Sequence, residues 1–231
     1  MRQAPSPIRE TLIVSDLHLG LRAARAGELL GVLARVRFER LILLGDLFHD
    51  LAFRRLGGEA WTLLRYLRRL AQVPSGVEVV CISGNHDRHL RDAIAWLIGV
   101  PARESYAFAA AGKRYEALHG DRFDRFISQN PKVAQLVSSV YGFCERRLSR
   151  EGVWPERVDR WHARALSDQI ATAALAYGRS AALDVVVCGH THEPTIRAAQ
   201  GVAYVNTGAW IGRPGSFVTV GSAGIRLHAH P

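Results

Sequence analysis

Five short apolar runs, each followed at once by carboxylate, amide or imidazole side chains, constrain the fold of this chain more than any other feature. Thr11–Val14 leads to Asp16 and His18, and Leu41–Leu44 to Gly45-Asp46. Val77–Ile82 leads to Ser83-Gly84-Asn85-His86-Asp87, Tyr115–Leu118 to His119-Gly120-Asp121, and Asp184–Cys188 to Gly189-His190-Thr191-His192. Runs of this kind read as strands buried on both faces in a parallel sheet. Open α/β sheets gather their chemistry just beyond the carboxyl ends of such strands. The five junctions therefore bring Asp16, His18, Asp46, Asn85, His119, His190 and His192 to one rim. A lone histidine would say little, but five such junctions in one chain specify a site.

The 231 residues suffice for one substantial core and demand no second domain. The expectation is a single domain over 1–231 with a helical insertion over 122–180. No apolar run approaches the roughly 20 residues needed to cross a bilayer, and Met1 to Glu10 has no signal-peptide core. A cytoplasmic protein is expected, with peripheral contact at the inner face of a membrane as a variant of that expectation. Cys81, Cys144 and Cys188 are too few and too far apart for a disulfide framework or a Cys-rich zinc site. The net charge of +9 favours polyanionic partners but does not choose among nucleic acid, acidic lipid and phosphorylated small molecules.

Along the chain, Arg22 to Val36 reads as a helix with Leu29, Leu33 and Val36 on one face, and Glu59 to Leu70 as another with Leu63, Leu67 and Leu70 inward. Leu90 to Ile98 is a short helix stopped by Gly99 and Pro101. Tyr106–Phe108 and Tyr115–Leu118 pair around Ala111-Gly112-Lys113. Between Asp121 and Asp184 strand-like runs vanish, and Asp124–Gln129, Lys132–Leu148 and Glu156–Tyr177 have helical character. Aromatic and apolar residues are interleaved with arginines there. The segment is either a helical pair packed on the domain or a cap with an apolar face for lipid and arginines for phosphate. Val202–Val205, Ser216–Val220 and Ile225–His228 read as strands of a second sheet.

Carboxylate, amide and imidazole without thiolate suit Mn²⁺, Fe or Zn²⁺ better than an all-oxygen Mg²⁺ or Ca²⁺ cage, and Mn²⁺ is the first choice. Seven ligands are enough for two ions, and Asp46, central in the order, is the natural bridge. Two divalent ions about 3.5–4 Å apart activate water and neutralise a phosphoryl group in an in-line displacement, so phosphoester hydrolysis is the expected chemistry.

SDLHLG, LLGDLFHD, SGNHD, LHGDRFD and CGHTHEP, in this order from Ile13 to about Trp210, resemble the calcineurin-like metallophosphoesterases. The resemblance implies a four-layer αββα sandwich and two metals. Asp16, His18, Asp46 and His192 would hold one ion, and Asp46, Asn85, His119 and His190 the other. His86 resembles the family histidine beside the leaving oxygen, with Asp87 orienting its ring or else serving as a turn or cap residue. Within the family, GDLF with a nearby acid, HGD followed by Phe-Asp, and a helical insertion before GHTH resemble the UDP-2,3-diacylglucosamine hydrolases of lipid A biosynthesis. Those enzymes release lipid X and UMP. Their best-known branch has arginine where this chain has His86, and histidine is the general phosphoesterase pattern. A general phosphodiesterase or phosphomonoesterase therefore stays open beside the nucleotide-sugar lipid. By position, Asp50, Arg88 and Asp121 are candidate substrate residues. The phosphoprotein phosphatase pattern is not met, because Leu47-Phe48-His49-Asp50 lacks its arginine and Asp87 stands where it has Glu. A nuclease would explain the charge, but no long coiled coil or second domain accompanies it. A scaffold without metals is the non-enzymatic alternative, and the retained ligand types and His86 argue against it.

Overall fold

The structure, a computed structural model, describes residues 10–50, 53–72, 76–124, 156–212 and 214–230. Two sheets lie face to face, flanked by helices. The first joins β1 (Thr11–Val14), β2 (Arg40–Leu44), β3 (Glu78–Ile82) and β4 (Ala102–Arg103) in parallel, with β10 (Ser216–Gly221) and β11 (Gly224–Ala229) beyond β1. The second has the order β5 (Ser105–Ala110), β6 (Lys113–Leu118), β7 (Val185–Cys188), β9 (Val202–Asn206), β8 (Thr195–Ala199), with β6, β7 and β9 parallel.

The alternation of side chains along these strands builds four layers. Successive strand residues point to opposite faces. Leu12 and Val14, Leu41 and Leu43, and Cys81 face α1 (Ala26–Arg35), α2 (Gly58–Gln72) and α3 (Arg91–Ile98) in one buried cluster. Ile13, Ile42, Leu44, Val80 and Ile82 face the other way, against Tyr115, Ala117, Val185, Val187 and Val205 of the second sheet. Leu118, Val186, Cys188 and Tyr204 then meet Ile170, Ala171 and Ala174 of α4 (Glu156–Ser180). Strands apolar on both faces are what a four-layer αββα sandwich requires, and the expected fold class is found. α4 lies close on its sheet, since a Cβ on Gly178 would come within 2.6 Å of Val202 Cγ1.

Several sequence expectations are corrected. Ser216–Val220 and Ile225–His228 do not extend the second sheet. β10 pairs antiparallel with β1 through Thr11↔Val220, which gives the fully buried β1 a neighbour on its otherwise open edge. β8 was not anticipated, because its mostly exposed residues carry no apolar run. α1 begins at Ala26 instead of Arg22: the Leu21 N–H donates to His18 O and the Arg25 N–H to Trp210 O, so that backbone is committed elsewhere. Within the segment expected as a helical insertion, α4 packs on the second sheet from Leu166 to Tyr177. Lys132–Leu148 and most of Asp124–Gln129, with the aromatics and arginines around them, lie outside the described residues.

Ile42 is wholly buried between the sheets. Truncating such a residue costs about 2–5 kcal/mol through lost transfer energy and the cavity left behind. Ile42→Ala should lower the urea midpoint by a corresponding amount with an unchanged slope. A change below about 0.5 kcal/mol would show that the two sheets do not close on each other at this point.

Candidate metal centre

The five strand ends converge, but they come from both sheets. Asp16, Asp46 and Asn85 follow β1, β2 and β3 of the first, while His119, His190 and His192 follow β6 and β7 of the second. The backbone there is held in an unusual state. Asp16, His18, Asp46, His190 and His192 have φ of 53°, 43°, 50°, 72° and 58°, in the left-handed region that non-glycine residues seldom adopt. Among the described residues only Ala111, Ala182 and Gln200, all in turns, share this. Backbone strain clustered on side chains of one chemistry points to function.

Loop contacts hold these conformations. Asp16 N–H donates to Gly45 O (3.1 Å) and His18 N–H to Asp46 O (2.9 Å), so the first two loops run side by side. The His190 N–H donates to Asp16 Oδ2 (2.9 Å), and the His86 N–H to Asp46 Oδ1 (2.9 Å). Asn206, at the end of β9, braces the Gly189–His192 loop through Nδ2 to Gly189 O (2.5 Å) and Thr191 Oγ1 (3.0 Å). Two glycines let the carboxylates approach. A Cβ on Gly84 would lie 2.0 Å from Asp46 Oδ1, and one on Gly189 would lie 2.3 Å from Asp16 Oδ2.

The side chains form two overlapping groups. In one, Asp16 Oδ1 lies 3.3 Å from His192 Nε2 and 3.8 Å from His18 Nε2, and the two imidazole nitrogens are 3.2 Å apart. In the other, His119 Nε2 stands 3.3 Å from Asp46 Oδ2 and 3.1 Å from Asn85 Oδ1. Asp46 Oδ2 belongs to both, being also 3.7 Å from His18 Nε2. His119 presents Nε2 because its Nδ1–H donates to Leu44 O (3.1 Å). These donors fit divalent cations: ligand atoms of Asp16, His18 and His192, and of Asp16, Asp46 and His119, each lie within 4.8 Å of one another. Asp16 Oδ1 and His18 Nδ1 are buried without a well-directed hydrogen bond.

His190 stands apart from these triads. Its ring is edge-on to His119 at 5.2 Å, and its Nε2 meets Asp124 Oδ2 at 3.2 Å. His86 adjoins the first group, with its ring 4.9 Å from His18 and its Nδ1 on His49 O (3.1 Å). The buried His49 ring lies 4.9 Å from His86. Sequence reading did not anticipate His49 or the Asp124 contact. Both lie inside the GDLFHD and HGDRFD stretches, where a polar residue three to five positions after a strand-end ligand was the available signal.

One expected role changes. Asp87 does not orient His86, because its carboxylate accepts the N–H groups of Leu47 (2.7 Å) and Gly84 (2.6 Å) beneath the loop. The carbonyl of His49 holds the ring instead. Asp50 is paired with Arg55 at the edge of the site. Arg88 and Asp121 do meet, as a half-exposed guanidinium on a buried carboxylate.

A family model described as the calcineurin-like phosphoesterase superfamily domain matches residues 10–223. The chain belongs to that superfamily. No protein of curated function matches the sequence. Solved structures share the fold at low identity. A phosphoesterase from E. coli, Yfce, has a TM-score of 0.52 at 18% identity, covering 96% of this chain and 100% of its own. An archaeal phosphodiesterase has 0.51 at 13%, covering 95% and 99%. Vacuolar Protein Sorting 29 from Cryptosporidium parvum has 0.52 at 14%, covering 96% and 91%. The phosphoesterase fold thus carries candidate metal-binding groups at the junction of its sheets.

Charge in this group is internally balanced. Burial raises the Asp16 and Asp46 carboxyls, but the facing histidines outweigh it: His192 and His119 hold Asp16 down at about 2, and His119 holds Asp46 well below the usual range. Burial lowers His119 and His192, yet Asp46 lifts the former well above, and Asp16 lifts the latter above, the ordinary imidazole value. Burial drives His18 down. A neutral His18 thus accepts a hydrogen bond from the His192 Nε2–H, while the His119 Nε2–H donates to Asn85 and Asp46.

Histidines with raised values keep their protons to higher pH than a free imidazole and must lose them to ligate. Metal affinity should therefore rise with pH across the interval from 6.5 to the raised values. Calorimetry of Mn²⁺ binding at pH 7 should show proton release in buffers of differing ionisation enthalpy. Binding heats independent of buffer would show that these rings are not the groups displaced.

Proposed function

We propose that the protein is a dinuclear-metal phosphoesterase acting on a diphosphate, with UDP-2,3-diacylglucosamine, cut to lipid X and UMP, as its substrate. The observation that carries the two-metal reading is Asp46 Oδ2, 3.7 Å from His18 Nε2 and 3.3 Å from His119 Nε2. One carboxylate oxygen serves both ligand sets. Asp16, His18, Asp46 and His192 would hold one ion, and Asp46, Asn85, His119 and His190 the other, with Mn²⁺ favoured. When bound, such a pair lowers the pKa of water and neutralises charge on the phosphoryl group.

The chain's own residues supply the rest. His86 Nδ1–H is spent on His49 O, so its Nε2 is the nitrogen that can hand a proton to the leaving oxygen or stabilise its charge. Arg88, fixed on Asp121, keeps a half-exposed face for a phosphate, the geometry in which a guanidinium is most effective. The acylated substrate is supported by the HGDRFD and GDLF stretches and by a surface suited to an anionic lipid interface. Trp96 is 74% and Trp61 40% exposed, beside the exposed Arg65, Arg68 and Arg69 of α2. Aromatic and basic groups together favour headgroup-level contact. No helix among the described residues is long and apolar enough to cross a membrane, so such contact would be peripheral. A general phosphodiesterase or phosphomonoesterase is the second reading, favoured by His86 where the lipid branch has arginine. Nucleic acid is the less favoured partner.

The decisive experiment is a hydrolysis screen with Mn²⁺. UDP-diacylglucosamine in detergent should exceed UDP-N-acetylglucosamine, bis-p-nitrophenyl phosphate and single-stranded DNA in kcat/KM. Equal rates on the acylated and unacylated sugar nucleotides would overturn the lipid substrate and leave the general phosphoesterase. No turnover on any of them, in protein that binds Mn²⁺, would favour a non-catalytic role.

His86→Ala should lower kcat by about 10²- to 10⁴-fold, the usual contribution of a general acid, with metal content unchanged. Loss of metal from this variant, measured by atomic emission, would make His86 a ligand and reassign its role.

A further inference from the structure

Asp124 is buried at the end of the turn that leaves β6, and its carboxylate points back at the His190 ring. We infer that Asp124 is the positioning residue of the second metal site: it fixes the tautomer and rotation of His190 so that Nδ1 is the nitrogen presented to the ion.

The chemistry of the pair decides the tautomer. An ionised carboxylate only accepts hydrogen bonds. At 3.2 Å from Asp124 Oδ2, His190 Nε2 must carry the proton, which leaves the lone pair on Nδ1. Both side chains are nearly closed to solvent, at 8% and 6% exposed, so water is a poor substitute partner. A carboxylate behind a ligating imidazole also makes it a stronger donor. His119 uses the opposite arrangement, with Nδ1–H on Leu44 O and Nε2 facing Asp46. Two histidines serving one ion therefore ligate through different nitrogens, and each is locked by its own second partner.

The turn carrying Asp124 is itself built to hold position. Gly120 has φ 108°, and the N–H groups of Phe123 and Asp124 return to Gly120 O (2.9 Å) and Asp121 O (3.1 Å). From α4, Gln169 Nε2 donates to Phe123 O (3.2 Å), and the Phe123 ring meets Tyr177 at 5.6 Å. The His190 backbone is fixed independently by its N–H on Asp16 Oδ2. With backbone and turn both anchored, the ring is the remaining freedom, and the carboxylate removes it. A helix cap would also explain an Asp at this position, but a cap bonds backbone N–H groups and gives no reason for contact with His190.

This inference rests on the two-metal reading, and one titration separates the two. Mn²⁺ is titrated calorimetrically into metal-stripped wild type, Asp124→Ala and Asp124→Asn. Wild type should show two sites. Asp124→Ala should weaken one of them about 10- to 100-fold, the usual cost of losing a partner behind a ligand, and leave the other unchanged. Asp124→Asn, whose amide oxygen can still accept from Nε2–H, should recover part of that loss. The ¹⁵N shifts of His190 in metal-free wild type should report Nε2–H, with the alternative tautomer appearing in Asp124→Ala. Two sites of unchanged affinity in Asp124→Ala, or an unchanged His190 tautomer, would overturn the positioning role. A single site in wild type would overturn the two-metal reading instead. If Asp124→Ala fails to fold, the ¹⁵N spectrum and titration of Asp124→Asn decide between the same outcomes, since a purely structural residue would leave His190 unaffected.

Discussion

The contact between Asp46 and His119 joins the halves of this molecule. Asp46 leaves β2 in the first sheet and His119 leaves β6 in the second, yet their side chains meet at 3.3 Å under the rim. Neither would be tolerated alone: an unpaired charge at such depth costs several kcal/mol, and removing one partner of a buried pair exposes that cost. Together they form a charge system in which Asp16 and Asp46 stay ionised because His192 and His119 face them. The stacking of the two sheets sets the distance at which this balance holds, so the packing of Ile42, Leu44 and Val187 is part of the site's electrostatics.

Backbone strain follows from the same crowding. Ligands from five loops must reach one small volume, and extended or helical φ would carry the chain past it. Turning back sharply is possible in the left-handed region, which costs of order 1 kcal/mol or more for a residue with a Cβ. Five candidate ligands bear that cost. Gly84 and Gly189 do the complementary work, because any side chain there would overlap a carboxylate. The Gly-Asn and Gly-His pairs thus have a steric cause: the glycine makes room for a ligand delivered by another strand.

Much of this was legible in the chain because it is local. A strand buried on both faces reads as a continuous apolar run, and a polar residue directly after it has no reason to be there unless the rim uses it. That logic gathered the seven candidate ligands at one rim, while the family resemblance implied the four-layer class and turn residues the hairpin at Ala111-Gly112. It failed where pairing is non-local. The C-terminal strands alternate well enough to be strands, but which sheet takes them depends on the open edge of β1, which lies some 200 residues earlier in the sequence. Exposed β8 gave no apolar signal, and α1 was read too long because the backbone from Leu21 to Arg25 is drawn to His18 and Trp210.

Polar partners were the other blind spot, and the reason is geometric. Asp87 stands beside His86 in sequence, and a neighbouring carboxylate is the natural candidate to orient an imidazole. Residues adjacent in a tight loop, however, project in different directions. Asp87 turns under the loop to take the Leu47 and Gly84 N–H groups, and burial together with the charge of Asp46 raises it to about 6. Its task is to tie the Asp46 loop to the Gly84–Asp87 loop. The groups that do set imidazole orientation are reached across the fold: Leu44 O for His119, His49 O for His86 and Asp124 for His190. Two of the three are main-chain carbonyls, which no side-chain pattern can announce. The candidate ligands therefore stand in the strand-end motifs, whereas their orientation emerges only when the sheets pack.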